Sequence, residues 1–201
     1  MQIVQIAELD KKRIRIFLED GRNFVLYKGE CRRFQLQEGE DCTEEQYGEI
    51  RNEILIKRAR RRVMHLLERM DHTEAQIRMK LRQGFYPEDI IEDAVSYVKG
   101  FHYLDDARYA ENYVRSQKNR KSRGSMRMEL QGKGIEKELI EQAIEKECRQ
   151  EDEHELIQKW IEKKHYSGET ADLKEKQRMY RFLMRKGFQS EDILHALDHL
   201  T

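Results

Sequence analysis

Three segments of this chain follow one pattern at a spacing of about 50 residues, a period at which helical repeat proteins stack their units. They are KLRQGFYPEDII at 80–91, ELQGKGIEKELI at 129–140 and FLMRKGFQSEDIL at 182–194. Each reads as the end of a helix, a glycine, an apolar residue and a polar start to the next helix. Gly84, Gly134 and Gly187 suit the left-handed position that ends a helix, and Phe85, Ile135 and Phe188 are placed to fold back on the helix just finished. A short amphipathic helix carrying Ile90, Ile140 or Ile193 follows. A further helix precedes each pair, over roughly 57–70, 105–118 and 151–165, so the expected body is three tandem three-helix repeats forming an elongated curved array. Pro87 sits in a first helical turn, where a missing amide hydrogen is harmless.

Composition agrees with several thin cores rather than one large one. Hydrophobic residues make up 38% and charged residues 39%, a low supply of apolar surface for a single globule of this length. The first forty residues read as strand. Ile14, Ile16 and Leu18 alternate with Arg13, Arg15 and Phe17, Phe24 to Tyr27 is a second apolar run, and Asp20-Gly21 between them suits a tight hairpin turn. Ile3 to Ala7 is a third strand, giving a small sheet that either packs on the next helix or stays a marginal appendage. Helix signals begin at Thr43 with Gln46 three residues on, and recur at Thr73 with Gln76, each a capping box. Val63, Leu66, Leu67 and Met70 share one face of the helix between them, leaving the arginines on solvent. The expected domains are a β extension at 1–42, a first repeat with its preceding linker helix at 43–100, a second at 101–149 and a third at 150–201.

Net charge is zero, with 39 basic and 39 acidic residues, so only the distribution of charge speaks about partners. Lys57, Arg58, Arg60, Arg61 and Arg62 crowd one stretch. Arg115, Lys118, Arg120, Lys121, Arg123 and Arg127 follow with no acid between Glu111 and Glu129, and acids then dominate from Glu136 to Glu155. Lys57, Arg58, Arg61, Arg62, Arg115, Lys118, Arg120, Lys121, Arg123 and Arg127 are the expected contacts to phosphates or to acidic protein surface.

Other chemistry is thinly supplied. Cys31, Cys42 and Cys148 are unevenly spaced and suit neither a disulfide framework nor a zinc site. Asp105 and Asp106 read as a helix cap and a first-turn acid rather than paired catalytic carboxylates. His195 and His199 share a helix side without a third ligand. Tyr103, Tyr109 and Tyr113 have the spacing of core residues, with base stacking as the other use of such rings. No Gly-rich phosphate loop and no nucleophile with its base occurs, so the chain is expected not to be an enzyme and to need no cofactor. No apolar run reaches membrane-spanning length, and the expected location is the cytoplasm.

FHYLDDARYAENYV at 101–114, followed by RGSMRMELQGKGI at 123–135, resembles the signature of the RecX family of bacterial recombinase regulators. The residues that carry it are Tyr103, Leu104, Asp105, Asp106, Arg108, Tyr109, Ala110, Val114, Gly124, Glu129, Leu130, Lys133, Gly134 and Ile135. RARRRVMHLLERMDHTEAQIRMKL at 58–81 is similar to the family's first helical pair and KQRMYRFLMRKGF at 176–188 to its last repeat. Ser125 stands where many members have proline, and Gly132 where a larger residue is usual, a change worth up to about 1 kcal/mol of helix stability. The resemblance implies a regulatory protein, acting as a monomer, that binds the RecA filament on single-stranded DNA and restrains its ATP hydrolysis, strand exchange and coprotease activity. That places it in DNA recombination, repair and the SOS response, with double-stranded DNA as a further candidate partner. The rival reading is a helical-repeat DNA-binding module that acts without a recombinase.

Overall fold

The computed structural model describes residues 1–168 and 171–198, except for the side chains of Gln150 and Glu151. Contacts divide the chain into two compact units, Met1–Asp105 and Asp106–Thr201.

The first unit opens with an antiparallel sheet in the order β1 (Ile3–Glu8), β2 (Arg13–Leu18), β3 (Asn23–Tyr27). Gly21 takes φ +86 in the hairpin, and Ile14 pairs with Leu26 and Ile16 with Phe24 across it. Strand alternation puts Ile14, Ile16 and Leu18 on the buried face. The sheet is no appendage. Ile3, Ile16, Phe24 and Leu26 join Ile50, Leu55, Ile77, Leu81, Ile90 and Ile91 in one core that runs on to Leu104. Burying each of those side chains contributes about 1.5–3 kcal/mol, more than a three-stranded sheet could gather alone.

Not all of the first forty residues are strand. Lys28–Arg33 is a short helix, α1, started by Glu30, whose carboxylate accepts the Tyr27 amide hydrogen at 2.8 Å. Both capping boxes form, with Gln46 and Gln76 amides donating to Thr43 and Thr73 hydroxyls at 3.1 and 3.2 Å. The first opens α2 (Glu44–Glu49), which continues through a π-helical segment (Ile50–Ile56) into α3 (Lys57–Arg69). Adjacent Ile54 and Leu55 are both buried in that wider winding. Met70 falls outside α3, extended at φ −165, and is 63% exposed instead of joining the apolar face. The second box opens α4 (Glu74–Gln83), and α5 (Glu88–Gly100) follows with Pro87 just before its first turn as N-cap.

In the second unit, α6 (Asp106–Gln117), α7 (Arg123–Gly132) and α8 (Lys137–Glu147) close on Ala110, Val114, Met126, Leu130, Ile140 and Ile144. Helices α9 (Gln150–Lys163), α10 (Leu173–Arg185) and α11 (Ser190–Asp198) close on Leu156, Ile157, Ile161, Leu183 and Ile193. The chain is thus mainly helical, three three-helix groups with a small amino-terminal sheet.

The repeat registers differently from the reading by glycines. Ile135 and Phe188 amides donate back to Leu130 and Leu183 at 3.2 and 3.3 Å, and in the first group it is Tyr86, not Phe85, that donates to Leu81 at 3.2 Å. Gly134 and Gly187 hold the left-handed position at φ +81 and +83. Gly84 sits at φ −83, and Phe85 carries the left-handed turn at φ +58. The glycine of the first repeat is therefore one residue early, because the leucine, and not the glycine, sets the register of this turn.

Candidate nucleic-acid and partner interface

On the first unit, the end of β3, one side of α3 and the α4–α5 turn enclose a cleft of about 790 Å³ walled by Tyr27, Arg58, Arg61, Arg62, Phe85 and Tyr86. Arg58 is part of the wall itself. Its guanidinium donates to the Val25 carbonyl at 3.2 Å, pairs with Glu30, and lies 4.7 Å from the Tyr27 ring centroid. Arg61 and Arg62, one turn on, are exposed and meet no carboxylate among the described residues. Lys57 is held by Glu53 on its own helix. Arg60, from the same run, points the other way and makes a two-armed pair with Asp93 at 2.7 and 2.9 Å.

The basic run of the second group is arranged otherwise. Arg115 pairs with Glu147, Nε to Oε2 3.1 Å, and Lys118 donates to the Glu147 carbonyl at 2.8 Å. Lys121 bonds Glu129 at 2.6 and 2.8 Å and the Tyr113 hydroxyl at 3.1 Å. Arg127 grips Glu141 through two bonds of 2.8 and 2.9 Å. These cations hold the carboxyls of Glu129, Glu141 and Glu147 below the usual carboxylate range, the main cause in each case being the bond from Lys121, Arg127 or Arg115. Arg123 faces Glu153, which is 8% exposed. Its Nε lies 3.0 Å from Oε2 but at an angle that makes no hydrogen bond, so that contact is Coulombic, while its backbone amide donates to Oε1 at 3.2 Å. Burial pushes the Glu153 carboxyl up despite the neighbouring arginine. Arg120 is exposed and unpaired among the described residues.

The signature residues divide by role. Leu104 belongs to the first core. Tyr109 and Tyr113 pack against the second, and Lys133 lies 6.0 Å from the Tyr109 centroid. Tyr103 departs from the core expectation: it is 50% exposed and stacked on Phe101 at 6.0 Å. Asp105 immediately precedes α6, Asp106 is its first residue, and Arg108 is exposed on its first turn. Gly134 supplies a left-handed turn. Gly124 has a reason that spacing does not disclose: a β-carbon there would lie 2.2 Å from the Gly187 carbonyl oxygen. Beside it the Ser122 hydroxyl donates to the Lys186 carbonyl at 2.6 Å, so the start of α7 sits directly on the α10–α11 turn. His154 and His195 stack at 5.6 Å; His199 lies outside the described residues. Among the described residues no three His, Cys, Asp or Glu side chains gather as a metal site, and no helix is long and apolar enough to cross a membrane.

Sequence reasoning missed a third surface. Lys186 lies 4.6 Å from the Trp160 centroid with Lys163 at 5.2 Å, and Lys164 lies 5.0 Å from that of Phe182. Arg178 and Arg185 line a hollow of about 450 Å³ beside them, where Glu175 is the acid present. The available signal was the run from Lys174 to Lys186, in which Glu175 is the one acid.

Three tandem three-helix groups, some of whose exposed cations meet no carboxylate among the described residues, define a helical-repeat protein. Models of the first, second and third three-helix domains of RecX match residues 59–97, 105–144 and 151–197. A protein of Caldanaerobacter subterraneus named regulatory protein RecX is 35% identical over 81% of each chain, and one of Vibrio parahaemolyticus of the same name is 36% identical over 67% of this chain and 86% of its own. A crystal structure of regulatory protein RecX superposes with a TM-score of 0.68 at 28% identity, covering 98% of both chains. The chain belongs to the RecX family of regulatory proteins.

Proposed function

We propose that this chain regulates a RecA recombinase, binding its filament on single-stranded DNA and restraining ATP hydrolysis, strand exchange and coprotease activity by occupancy rather than by chemistry. The observation that carries the reading is that cations with no carboxylate partner among the described residues recur on separate three-helix groups: Arg61 and Arg62 on the first, Arg120 on the second, and Lys163, Lys164, Arg178 and Arg185 on the third. A polymer offers the same anionic surface again and again. Groups tied in one chain make each later contact intramolecular, so weak single contacts sum to firm binding. The place of action is the cytoplasm, where recombinase and DNA are found.

The test is DNA-dependent ATP hydrolysis by RecA while the chain is titrated in. Inhibition that weakens steeply with salt and is lost in an Arg61→Glu, Arg62→Glu, Arg120→Glu variant with an unchanged thermal melt supports the reading. Inhibition far below one chain per RecA protomer marks capping of filament ends, and near-equal amounts mark lateral coating. Unaltered hydrolysis together with tight, sequence-selective duplex binding would establish the recombinase-independent DNA-binding module instead.

A further inference from the structure

The cleft of the first unit contains an arrangement that its place in the repeat does not require. Glycine provides the left-handed turn at 134 and 187, yet Phe85 provides it here at φ +58, a conformation strained for any residue with a β-carbon. The fold does not use the ring as core, since Phe85 is 38% exposed. Instead the ring is held beneath Arg15, whose guanidinium lies 4.5 Å from its centroid while bonding Asn23 at 2.8 Å. Gln35, His102 and His165 hold the same backbone conformation, so what sets this turn apart is that it places an exposed ring on the wall of a basic cleft.

Three further features converge on the same hollow. Tyr86, the neighbouring wall, is half-buried among Arg58, Arg62, Arg13 and Tyr27, and its hydroxyl has no hydrogen-bond partner among the described residues. Burial keeps that phenol in its neutral, donating form. Arg61 and Arg62 bring positive charge that no carboxylate among the described residues neutralises; Glu68, also on the wall, lies 3.7 Å from His65. The volume of about 790 Å³ is that of a small-ligand site. Arginines alone would suit any anion. The exposed Phe85 ring, with the unused phenolic donor of half-buried Tyr86 beside it, asks for a flat, polar, aromatic group attached to that anion.

We propose that this cleft is a nucleotide site, holding a base against Phe85 and Tyr86 and its phosphate on Arg61 and Arg62. The nucleotide is either one unpaired residue of a single strand or a free nucleotide. An acidic peptide would satisfy the arginines but would leave the rings unused. The inference extends the regulator reading without depending on it, because it requires no recombinase.

The discriminating variant is Phe85→Gly, which removes the ring and supplies the residue that the other two turns already use. Binding of a labelled oligothymidylate and of a labelled hairpin duplex is measured by fluorescence anisotropy with the full chain, and thymidine triphosphate is added as competitor. Phe85→Gly is expected to weaken oligothymidylate binding roughly tenfold, to leave duplex binding unchanged, and to keep or raise the melting temperature. Arg61→Ser with Arg62→Ser is expected to weaken both ligands and to flatten the salt dependence. Displacement by thymidine triphosphate assigns the site to free nucleotide, and its failure assigns it to the strand. Oligothymidylate binding by Phe85→Gly equal to the parent's, equal weakening on duplex, or no binding of any of these ligands by the parent overturns the proposal. RecA inhibition that persists in any of those cases leaves the regulator reading standing alone.

Discussion

The turn after α4 and the turn after α7 close the same backbone bonds, Tyr86 to Leu81 and Ile135 to Leu130, yet the left-handed residue is Phe85 in one and Gly134 in the other. The charges around them differ in the same sense. Arg61 and Arg62 of the first group face solvent over a cleft, whereas Arg115, Lys121, Arg123 and Arg127 of the second are met by Glu147, Glu129, Glu153 and Glu141. One helical template therefore carries an open, strained surface in the first group and a relaxed, largely self-neutralised one in the second. A run of arginines in a sequence states where charge is, and only the fold states whether it is already answered.

The largest effect that separates the groups is expected at Gly124. Its β-carbon would stand 2.2 Å from a carbonyl oxygen of Gly187, backbone against backbone, so Gly124→Ala should destabilise the second unit by about 3 kcal/mol. Urea denaturation followed by Trp160 fluorescence reads this directly. A cost below about 0.5 kcal/mol would mean that α7 and the α10–α11 turn are not in contact as described. In the first group, Gly84→Ala meets only the edge of the Tyr86 ring, at 3.0 Å, and Leu81 carbonyl at 3.2 Å, and should cost less.

Exchanging the turn residues should move stability in opposite directions. Gly134→Phe forces a side chain into φ +81 and is expected to cost about 1–2 kcal/mol, while Phe85→Gly releases comparable strain, offset by the lost contact with Arg15 and by the flexibility of glycine. A net gain of up to about 1 kcal/mol is expected there. A loss as large as that of Gly134→Phe would show that the Phe85 ring is structural after all.

Charge removal is a smaller and sharper probe. Arg61→Ser should change stability by less than about 0.5 kcal/mol, and Arg127→Ser by about 0.5–1 kcal/mol, since the pair with Glu141 is 34% exposed on one side and 41% on the other and is screened by water. Conversely, Glu141→Gln with Glu147→Gln frees Arg127 and Arg115 and should steepen the salt dependence of polyanion binding by up to about one to two phosphates. No change in that slope would mean that the second group never faces the polyanion.

Much of this organisation was legible in the chain. The hairpin at Asp20-Gly21, both threonine capping boxes, the three preceding helices and the separate cores follow from local chemistry and periodicity, which act within a few residues. The helix at Lys28–Arg33 was not, because six residues carry too little periodicity to oppose a strand reading. Nor was the turn register, since Gly84 imitates the glycines of the other repeats while Leu81 fixes the hydrogen bonds. The pairing of charges depends on distant contacts. The acids at 136–155 and the basic run at 115–127 are two halves of one arrangement, and each looks like a separate surface until α8 and the start of α9 are folded back on α6 and α7. The third basic surface, on Trp160 and Phe182, joins Lys163 and Lys164 to the basic run that ends at Lys186, and the two segments meet only in space.

Glu153 offers the finest separation of the two regimes, because it is the one acid of that arrangement whose carboxyl is pushed up rather than down. Burial is the main cause, opposed by the Arg123 amide and guanidinium, with Asp192 adding to the rise and Arg127 lowering it. A carboxyl with a raised folded-state pKa binds its proton more tightly folded than unfolded. Its contribution to stability is complete below the unfolded value of about 4.5 and is lost as pH rises through the folded value. Glu129, Glu141 and Glu147 have the opposite sign, their contributions present at neutral pH and lost on acidification. Wild-type stability mixes the two, so the informative quantity is the stability of Glu153→Gln minus that of the parent. That difference should favour the glutamine most near neutral pH and shrink as pH falls toward 4.5, read as the shift in urea midpoint of Trp160 fluorescence. A difference that stays flat, or grows on acidification, would mean that Arg123 holds Glu153 as firmly as Arg127 holds Glu141, and the second group would then be neutralised throughout.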